Sequence, residues 1–344
     1  MASLRPITVL VSASGAPGTV ALLDALRRNG EREVLLVGTD MSDQAVGRHL
    51  CDSFHQVPAG SDPAFADAVL EICRAERVDA VLPQSSFDLA GLAEARERFK
   101  EIAVLVSSPE TVRRSNDKAE SYAMLEKIGV RAPAWRRVRG GDAVAAAAGE
   151  LGYPEHEVAL KPVFSSGSRG FRVLSASADR REQLLTNRPG VAEALRLEDL
   201  LELLGDDETE LLVMELATGG ERTIDGIADG RRIVLGHAKT REAMRAGLAM
   251  YFQTLDDPEL LEIADRIVAE LRIEHFFNIQ LVGDHVIEIN PRISTIVYQE
   301  DFNLPYLGIK HALGEISAEE LGAYAARIRP TRKALRYFDQ VEWD

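Results

Sequence analysis

Cysteine, aromatic residues and long apolar runs are all scarce in this sequence. Its two cysteines, Cys51 and Cys73, show no metal-ligand spacing, so neither a disulfide framework nor a zinc site is indicated. No apolar run is long enough to span a bilayer, and the N-terminus lacks the basic region and the apolar stretch of a signal peptide. We therefore expect a cytoplasmic protein with two reduced core cysteines and no membrane partner.

Positive charge is also in short supply. The 344 residues include 40 Lys and Arg against 55 Asp and Glu, which gives a formal net charge of −15. Because binding to nucleic acid depends on neutralising phosphates, this balance opposes general binding to nucleic acid. An anionic ligand must instead meet a local basic cluster. The length and the 46% hydrophobic content are typical of a globular protein with two or three domains.

The N-terminal part of the chain alternates short apolar runs with amphipathic stretches. The pattern predicts strands at residues 7–13, 33–39, 79–84 and 102–107, with helices near residues 17–29, 63–77 and 87–99. That order predicts a parallel, doubly wound α/β sheet. Gly15 and Gly18 follow the first strand and Asp40 ends the second, so a nicotinamide dinucleotide site stays open, although Ala21 stands where its fingerprint requires a third glycine.

A second unit begins where Asn116 or Asp117 can cap a helix. Further on, a strand-like Val-Ala-Leu-Lys-Pro segment at residues 158–162 is followed by a loop rich in glycine and serine at residues 165–170. Such a loop can bring several backbone N–H groups onto a phosphate chain, and Arg169 adds a further donor. Taken alone, the loop is equally consistent with an ordinary connection between two strands.

Residues 239–247 are dense in cations. On a helix, Arg241 and Arg245 share a face, whereas in an irregular loop they converge on one carboxylate. The residues leave both arrangements open. His237 lies beside this segment, either as a substrate contact or as a structural histidine.

The most informative segment is Glu-Ile-Asn-Pro-Arg at residues 288–292. Side chains alternate along a strand, so Glu288 and Asn290 point the same way. By the same alternation, Ile287 and Ile289 are predicted to point into a core. Two oxygen donors therefore lie side by side on the other face.

The preceding strand can add a third oxygen donor. If it folds back antiparallel through the turn at residues 283–284, Gln280 opposes Glu288, but only in a register with an odd number of intervening residues. A small patch of oxygen donors suits Mg²⁺, which keeps waters and takes further ligands from substrate phosphates. The guanidinium of Arg292 then stands ready for those phosphates.

In this order, the motifs resemble those of the ATP-grasp superfamily. They are Asn-Asp-Lys at 116–118, Leu-Lys-Pro at 160–162, Gly-Ser-Arg-Gly at 167–170, Met-Glu at 214–215, Gly-Glu at 220–221, Asn-Ile-Gln at 278–280 and Glu-Ile-Asn-Pro-Arg at 288–292. Within the superfamily the chain is most similar to the ATP-binding lobes of the carbamoyl-phosphate synthetase large subunit and to related stand-alone carboxylate–amine ligases. The likeness covers most of the chain.

The resemblance implies an α/β protein with an ATP-grasp fold, whose lid and core are α+β, behind a Rossmann-like pre-ATP-grasp domain. The expected divisions are residues 1–112 for the Rossmann-like domain and 113–210 for a linker helix and the lid. Residues 211–344 then form the C-terminal core with the metal and substrate sites.

The resemblance also assigns a role to each matching residue. ATP is expected to be bound by Lys118, Lys161, Ser166, Gly167, Ser168, Met214, Glu215, Leu216 and Glu221. The metal ligands are expected to be Gln280, Glu288 and Asn290, for two Mg²⁺ ions that Mn²⁺ can replace. Catalysis is assigned to Arg292 and Arg241, and the carboxylate substrate to Arg241, Arg245 and His237.

The implied activity joins a carboxylate to an amine through an acyl phosphate, with release of ADP and phosphate. Its partners are a small-molecule acid and amine, and a homodimer is the default expectation for its assembly. Two alternatives stay open. One is a carbamoyl- or carboxyphosphate-type enzyme that uses bicarbonate. The other, of a different class, is a non-catalytic ATP sensor or a dinucleotide-dependent oxidoreductase.

Overall fold

Three β-sheets follow one another along the described part of the chain. The structure is a computed structural model that describes residues 4–164, 169–186, 194–245, 248–294, 302–337 and 339–343. The first two sheets have five strands each and the third has six. Within the described part, no helix has the length and the apolar character needed to cross a membrane. The mixed α/β class predicted from the sequence is confirmed.

The first sheet is parallel throughout, as the alternation of strands and helices predicts. Its strands are β1 (Ile7–Val11), β2 (Val34–Asp40), β3 (Ser53–Gln56), β4 (Ala80–Leu82) and β5 (Ala103–Val104). Its helices are α1 (Thr19–Arg27), α2 (Gly47–Leu50), α3 (Phe65–Ala75) and α4 (Ser86–Ala95). Its strand order is β3-β2-β1-β4-β5. The short β3 and α2 are absent from the sequence-based prediction because neither carries a clear apolar period.

Two helices connect the first sheet to the second, α5 (Pro109–Asn116) and α6 (Lys118–Lys127). Of the two caps that the sequence allows for α6, the structure selects Asp117, whose carboxylate accepts from the N–H groups of Ala119 and Glu120. This cap places Lys118 at the first position of the helix, where its side chain is buried. The linker therefore places a buried lysine at the start of α6.

The second sheet has the order β6-β10-β7-β8-β9. Its strands are β6 (Trp135–Val138), β7 (Val158–Pro162), β8 (Arg172–Leu174), β9 (Ala194–Leu195) and β10 (Leu211–Glu215), and its helices are α7 (Gly141–Glu150), α8 (Arg180–Thr186) and α9 (Leu197–Leu204). Since β10 pairs with both β6 and β7, this sheet ends at Glu215. The division proposed before residue 211 therefore falls ahead of a strand that belongs to the second sheet.

The third sheet has the order β15-β14-β11-β12-β13-β16. Its strands are β11 (Glu221–Asp229), β12 (Ile233–Arg245), β13 (Leu248–Leu255), β14 (Glu274–Val282), β15 (His285–Asn290) and β16 (Lys333–Leu335). Its helices are α10 (Pro258–Leu271), α11 (Leu304–Ala312) and α12 (Ala318–Gly322). Both arrangements left open for residues 239–247 are wrong as far as Arg245, because these residues continue β12.

The two faces of the third sheet have different environments. One face packs Ile224, Ile279 and Ile289 in a core shared with α6, α10 and the second sheet. On the other face, Ile227 and Phe276 pack in a core with residues of the first sheet, α1 and α11. Polar side chains continue that second face beyond this core, and they form the candidate site.

Candidate functional site

Strand register brings the predicted metal ligands onto one face of the third sheet. Asn278 pairs with Asn290 across β14 and β15, and Gln280 pairs with Glu288. On the other side of β14, Asn278 pairs with Asp225 of β11. Because directly paired residues lie on the same face of a sheet, these side chains form one row of oxygen donors. The predicted opposition of Gln280 and Glu288 is confirmed.

The hairpin reaches this register through a β-bulge. A turn of two residues, Gly283 and Asp284, joins Val282 to its partner His285, and the register shifts between the pairs at Leu281 and Gln280. Ile287 is the extra residue. Seven residues, 281–287, then separate Gln280 from Glu288, the odd number that the opposition requires.

Ile287 does not occupy the position predicted for it. Ile289 is buried in the core, but Ile287 is only half-buried and lines a small cavity together with Glu288 and Lys118. Its backbone carbonyl accepts hydrogen bonds from the Tyr122 hydroxyl at 2.9 Å and from the Lys161 ammonium at 3.3 Å. The prediction of a core position for Ile287 is wrong because it assumed an unbroken alternation along β15.

Two buried lysines lie at this cavity, against β15. We call β15 the metal strand because it carries the predicted metal ligands Glu288 and Asn290. Lys118, from the start of α6, is 8% exposed and Lys161, from β7, is also 8% exposed. Burial lowers the pKa of both, and the negative charge of Glu288 opposes that effect in each case. For Lys161 the resulting pKa is about 8. An anionic ligand placed here would stabilise both ammonium groups, since it would restore part of the interaction lost with water.

Tyr122 is a site residue that the sequence reasoning missed. Its hydroxyl lies 3.1 Å from the Lys161 ammonium, and that ammonium lies over the tyrosine ring at 5.2 Å from the centroid. The same hydroxyl donates to the Ile287 carbonyl. Tyr122 thus holds Lys161 against the metal strand. A tyrosine in the middle of an amphipathic helix carries no sequence signal for such a role.

Arg292 connects the metal strand to the first domain. Its Nε donates to the Ser86 hydroxyl at 3.2 Å, at the start of α4, and its Nη2 donates to Asn290 Oδ1 at 3.3 Å. A third bond, from Nη1 to the Ile293 carbonyl at 3.0 Å, completes the anchoring. The guanidinium is therefore held at the position predicted to face phosphate, directly beside a predicted metal ligand.

Arg241 lies at the other end of the same row. Its side chain donates to Gln280 Oε1, and its Nη1 is 3.5 Å from a carboxylate oxygen of Glu221. Glu221, which is predicted to bind ATP, and Arg241, which is predicted to bind the substrate, are thus direct neighbours. Arg245 is on the same strand but exposed, and four strand residues span about 13 Å, so the two arginines do not converge.

His237 is buried in the interior of the sheet. It pairs with Asp225 across β11 and β12 and stacks edge-on against Phe302, with ring centroids 5.5 Å apart. Within the described residues, neither ring nitrogen has a hydrogen-bond partner. Burial lowers its pKa to about 4, with Lys239 acting in the same direction, so the ring is neutral at neutral pH. This environment favours the structural interpretation of His237.

Comparison with known proteins agrees with this geometry. Residues 207–333 match a family described as ATP-grasp in the biosynthetic pathway with Ter operon. Residues 9–107 match the PylC-like N-terminal domain. Residues 207–333 of this chain thus have the sequence pattern of an ATP-grasp domain. The resemblance identified from the motifs is therefore confirmed, as is the ATP-grasp fold behind a separate N-terminal domain.

Individual relatives of this chain are distant. The carbamoyl phosphate synthase large chain of Pseudomonas syringae pv. tomato is 26% identical over 254 residues, which cover 69% of this chain and 22% of that protein. This chain thus spans about a fifth of the length of that relative.

Solved structures show the same fold at low sequence identity. The L-amino acid ligase of Bacillus licheniformis has a TM-score of 0.61 at 14% identity, covering 97% of this chain and 79% of that one. The biotin carboxylase domain dimer of the Hydrogenobacter thermophilus 2-oxoglutarate carboxylase, complexed with MgADP, ADP and bicarbonate, has a TM-score of 0.64 at 16% identity. That match covers 90% of this chain and 70% of the carboxylase domain.

The oxygen donors predicted to bind a metal fit Mg²⁺. Among the residues that the structure describes, no three His, Cys, Asp or Glu side chains group around a metal position. The predicted set has one carboxylate, Glu288, and two amides whose oxygens already face cations: Gln280 Oε1 faces Arg241, and Asn290 Oδ1 faces Arg292. Oxygen donors with little charge of their own suit an ion that takes further ligands from phosphates and water.

Three of the residues predicted to bind ATP, Met214, Glu215 and Leu216, lie where the second sheet ends. Met214 is buried in the core shared by the second and third sheets, and the Tyr122 hydroxyl lies 3.9 Å from its sulfur. The Glu215 N–H donates to the Ala134 carbonyl at 2.8 Å, and Leu216 packs at the edge of the same core. The three lid-loop residues predicted to bind phosphate, Ser166, Gly167 and Ser168, lie outside the described residues.

In the first domain, the loop that resembles a dinucleotide site is taken up by hydrogen bonds within the domain itself. The Gly15 N–H donates to the Asp40 carboxylate at 2.8 Å, and the Gly47 N–H at the start of α2 donates to the Ser14 carbonyl at 3.1 Å. A phosphate bound at this turn needs the Gly15 N–H, and a ribose hydroxyl needs the Asp40 carboxylate. Since these two groups bind each other, the geometry argues against the nicotinamide alternative.

We expect the affinity for MgADP to fall as the pH rises from about 7 to about 9, by up to about tenfold per unit above the pKa. The pKa of Lys161 is about 8, so this cation loses its proton in that range and with it the attraction for phosphate. Isothermal titration calorimetry across a pH series measures the slope. In Lys161→Arg the side chain stays charged over this pH range. The slope of the logarithm of MgADP affinity against pH is therefore expected to be less steep by about one unit. Equal slopes in both proteins would contradict the assignment.

Proposed function

We propose that this ATP-grasp chain is an ATP- and Mg²⁺-dependent ligase that joins a carboxylate to an amine through an acyl phosphate. One observation supports this most strongly. Lys118 and Lys161 are both buried and come from different elements. Lys118 lines a cavity together with Glu288 of the metal strand, and Lys161 donates to the carbonyl of Ile287 in the wall of that cavity. The half-buried Arg292 guanidinium donates to Asn290, two residues before it. Such a concentration of buried cations around one carboxylate suits a polyphosphate with its metal.

The chemistry requires two displacements. An oxygen of the substrate carboxylate attacks the γ-phosphorus of ATP, the bond from that phosphorus to the β–γ bridging oxygen breaks, and ADP leaves. The neutral amine then attacks the carbonyl carbon of the acyl phosphate. The bond from that carbon to the phosphoryl oxygen breaks, phosphate leaves, and the amide nitrogen loses a proton to solvent. No side chain of the protein forms a covalent bond, in keeping with a site built from cations and amides.

The proposed roles follow from position. Lys118 and Lys161 bind the phosphates, and Arg292 stabilises the charge on the phosphoryl group in transfer. Gln280, Glu288 and Asn290 would hold Mg²⁺, which neutralises phosphate charge when bound. We propose two ions, as expected from the resemblance, and Mn²⁺ as a substitute. Arg241, held between Gln280 and Glu221, is proposed to bind the carboxylate substrate.

A cavity next to Ser86 and Asn116 supplies room for organic substrates. It has a volume of about 550 Å³ and lies between the first domain and Phe164 of the second. Ser86 and Asn116 line both this cavity and the smaller one that holds Lys118 and Glu288. This volume is within the range of small-molecule sites. We propose that one of the two substrates enters the site from this side.

The remaining proposals concern the setting of the enzyme. We propose small-molecule partners, no nucleic-acid partner, a cytoplasmic location and a homodimer, on the charge balance and on the symmetry that most oligomers share. The structural relatives include proteins whose names refer to carboxylation. A carboxyphosphate-forming reaction with bicarbonate is therefore the alternative that the same experiment must separate.

The test is an ADP-release assay with Mg²⁺ and ATP over a matrix of amino acids and small carboxylic acids, each alone and paired with amines. The expected result is ADP release that requires one acid and one amine together, with a product whose mass equals their sum minus water. ADP release that depends on bicarbonate would support the alternative reaction instead. Tight binding of MgATP without turnover for any pair would support a nucleotide sensor and contradict the ligase.

A further inference from the structure

Two of the three proposed metal ligands, Gln280 and Asn290, can bind the metal in only one of the two orientations of their side-chain amide. A side-chain amide presents an oxygen at one end and an NH₂ group at the other, and only the oxygen binds a cation. Glu288 has no such restriction, because both ends of a carboxylate are oxygens. Gln280 and Asn290 therefore need a neighbour that distinguishes the two ends of an amide.

Asn278 provides that neighbour. Its Oδ1 accepts hydrogen bonds from Gln280 Nε2 at 3.0 Å and from Asn290 Nδ2 at 3.3 Å. The NH₂ groups of both ligands therefore point toward one acceptor, and their oxygens are directed elsewhere. Those oxygens accept from Arg241 and Arg292, the cations of the cleft. Asn278 is only 1% exposed, and its single carbonyl oxygen thus sets the orientation of two ligands.

Asn278 is itself an amide, and its own orientation is set from the other side. Its Nδ2 donates to Asp225 Oδ1 at 2.9 Å and to Thr223 Oγ1 at 2.5 Å. Asp225 is in turn paired with the Lys239 ammonium at 2.7 Å, and both side chains are almost fully buried. Burial raises the pKa of Asp225, but the attraction of Lys239 outweighs it and the pKa lies below its ordinary value. The carboxylate is therefore ionised and accepts only.

We propose that Asn278 is a positioning residue that turns the oxygens of Gln280 and Asn290 toward the metal, and that the buried Asp225–Lys239 pair holds Asn278 in that orientation. The inference rests on the proposed metal role of Gln280 and Asn290. It adds residues that touch neither the nucleotide nor the substrate. A reversed Asn278 would set its NH₂ group against two other NH₂ groups and would leave all three without an acceptor.

The direct measurement is Mn²⁺ binding in the presence of saturating non-hydrolysable ATP analogue, followed by the EPR signal of free Mn²⁺. Asn278→Leu keeps the branching at Cγ but removes the acceptor, and it is expected to weaken Mn²⁺ binding about 10- to 100-fold. Binding of the analogue without metal is expected to stay within about twofold, because Lys118 and Lys161 are unchanged. If Asn278→Leu does not fold, Asn278→Ser removes the same acceptor and has the same expected result.

A reciprocal exchange tests the orientation itself. Asp225→Asn alone replaces a carboxylate that can only accept with an amide that can also donate, so the orientation of Asn278 is no longer fixed, and Mn²⁺ binding is expected to weaken. In the double variant Asn278→Asp, Asp225→Asn, the carboxylate at 278 accepts from both ligand amides, and the amide at 225 donates to it. That protein is expected to bind Mn²⁺ within about fivefold of wild type. A purely structural role for the network predicts no such recovery.

The control is Asn303→Ala. Asn303 caps α11 and donates to the Ala25 carbonyl at 2.6 Å, so its loss removes hydrogen bonds of the same kind away from the site. It is expected to lower the melting temperature and leave Mn²⁺ affinity unchanged. Wild-type affinity in folded Asn278→Leu would overturn the positioning role, as would a folded double variant that stays weak. Failure of the wild-type protein to bind Mn²⁺ with the nucleotide would overturn the proposed metal site and this inference with it.

Discussion

Glu288→Gln is expected to lower kcat by about 10³-fold, equivalent to about 4 kcal/mol of transition-state stabilisation. Gln280 and Asn290 are neutral amides, so Glu288 supplies the only formal negative charge of the proposed metal set. Replacing it with an amide of the same shape leaves the cation without a charged ligand. The kcat of the ADP-release reaction at saturating Mg²⁺ measures the effect.

A second consequence distinguishes this change from general damage. Glu288 opposes the burial that lowers the pKa values of Lys118 and Lys161. Without that carboxylate both pKa values fall further, and the decline of ADP affinity with rising pH moves to lower pH. Calorimetry in the absence of Mg²⁺ detects this shift independently of turnover. The loss of kcat and the shift in the pH dependence of ADP affinity therefore share one cause, the missing carboxylate, and each is measured separately.

The matched control is Glu262→Gln, on the exposed side of α10. It makes the same chemical change away from the cleft and is expected to leave kcat and the pH dependence as in wild type. Turnover of Glu288→Gln within about threefold of wild type would remove Glu288 from the ligand set. An equal loss in Glu262→Gln would indicate that overall stability, not the site, is responsible.

Arg292→Ala is expected to lower kcat by about 10²- to 10³-fold, while the KM for ATP changes by less than about fivefold. The guanidinium stabilises charge that develops on the phosphoryl group during transfer, so its loss affects the transition state more than the bound nucleotide. Steady-state kinetics at saturating acid and amine separate kcat from KM.

The anchoring of Arg292 explains why a lysine is a poor replacement. Three separate groups hold the guanidinium: Ser86 Oγ, the Ile293 carbonyl and Asn290 Oδ1. A single ammonium cannot reach all three and still face a phosphate, because its donors radiate from one nitrogen. Arg292→Lys is therefore expected to recover at most about tenfold of the lost rate.

Arg231→Ala serves as the control, since Arg231 is exposed in the turn between β11 and β12. It is expected to have wild-type kinetics. If Arg292→Ala instead raised the KM for ATP about 100-fold at unchanged kcat, Arg292 would be a binding residue for the ground state, and the assignment to phosphoryl transfer would be wrong.

Elements with a strong local signal were predicted well. The strands of the first sheet are short apolar runs with amphipathic helices between them, and such alternation permits little besides a parallel sheet. Helix caps could also be predicted from neighbouring residues. Asp117 binds N–H groups of its own helix, so the start of α6 could be read from neighbouring residues. The ligands Glu288 and Asn290 share a face because strand geometry alone requires it.

The segment from Lys239 to Arg245 shows where local reasoning fails. Its charged residues indicate neither a strand nor a buried position, yet it pairs with β11 on one side and β13 on the other. Lys239 tolerates burial because its partner Asp225 arrives from the neighbouring strand. Without knowledge of that pairing, a lysine in this context is expected at the surface.

Tyr122 and Asn278 were missed for a similar reason. Each acts through groups that lie far away in sequence: Tyr122 through Lys161 and Ile287, Asn278 through Asn290 and Asp225. Neither residue type is rare or chemically distinctive, so composition and spacing carry no signal for these roles.

The chemical groups of the site, the order in which the chain presents them and the superfamily that this order resembles could all be read from the sequence, because residue identity and strand alternation are local properties. How those groups are used depends on the folded arrangement. The bulge at Ile287 sets the register of Gln280 against Glu288, Asn278 directs the ligand amides, and burial lowers the pKa of Lys161 to about 8. Each of these depends on contacts between distant segments, whose geometry and dielectric surroundings exist only in the folded chain.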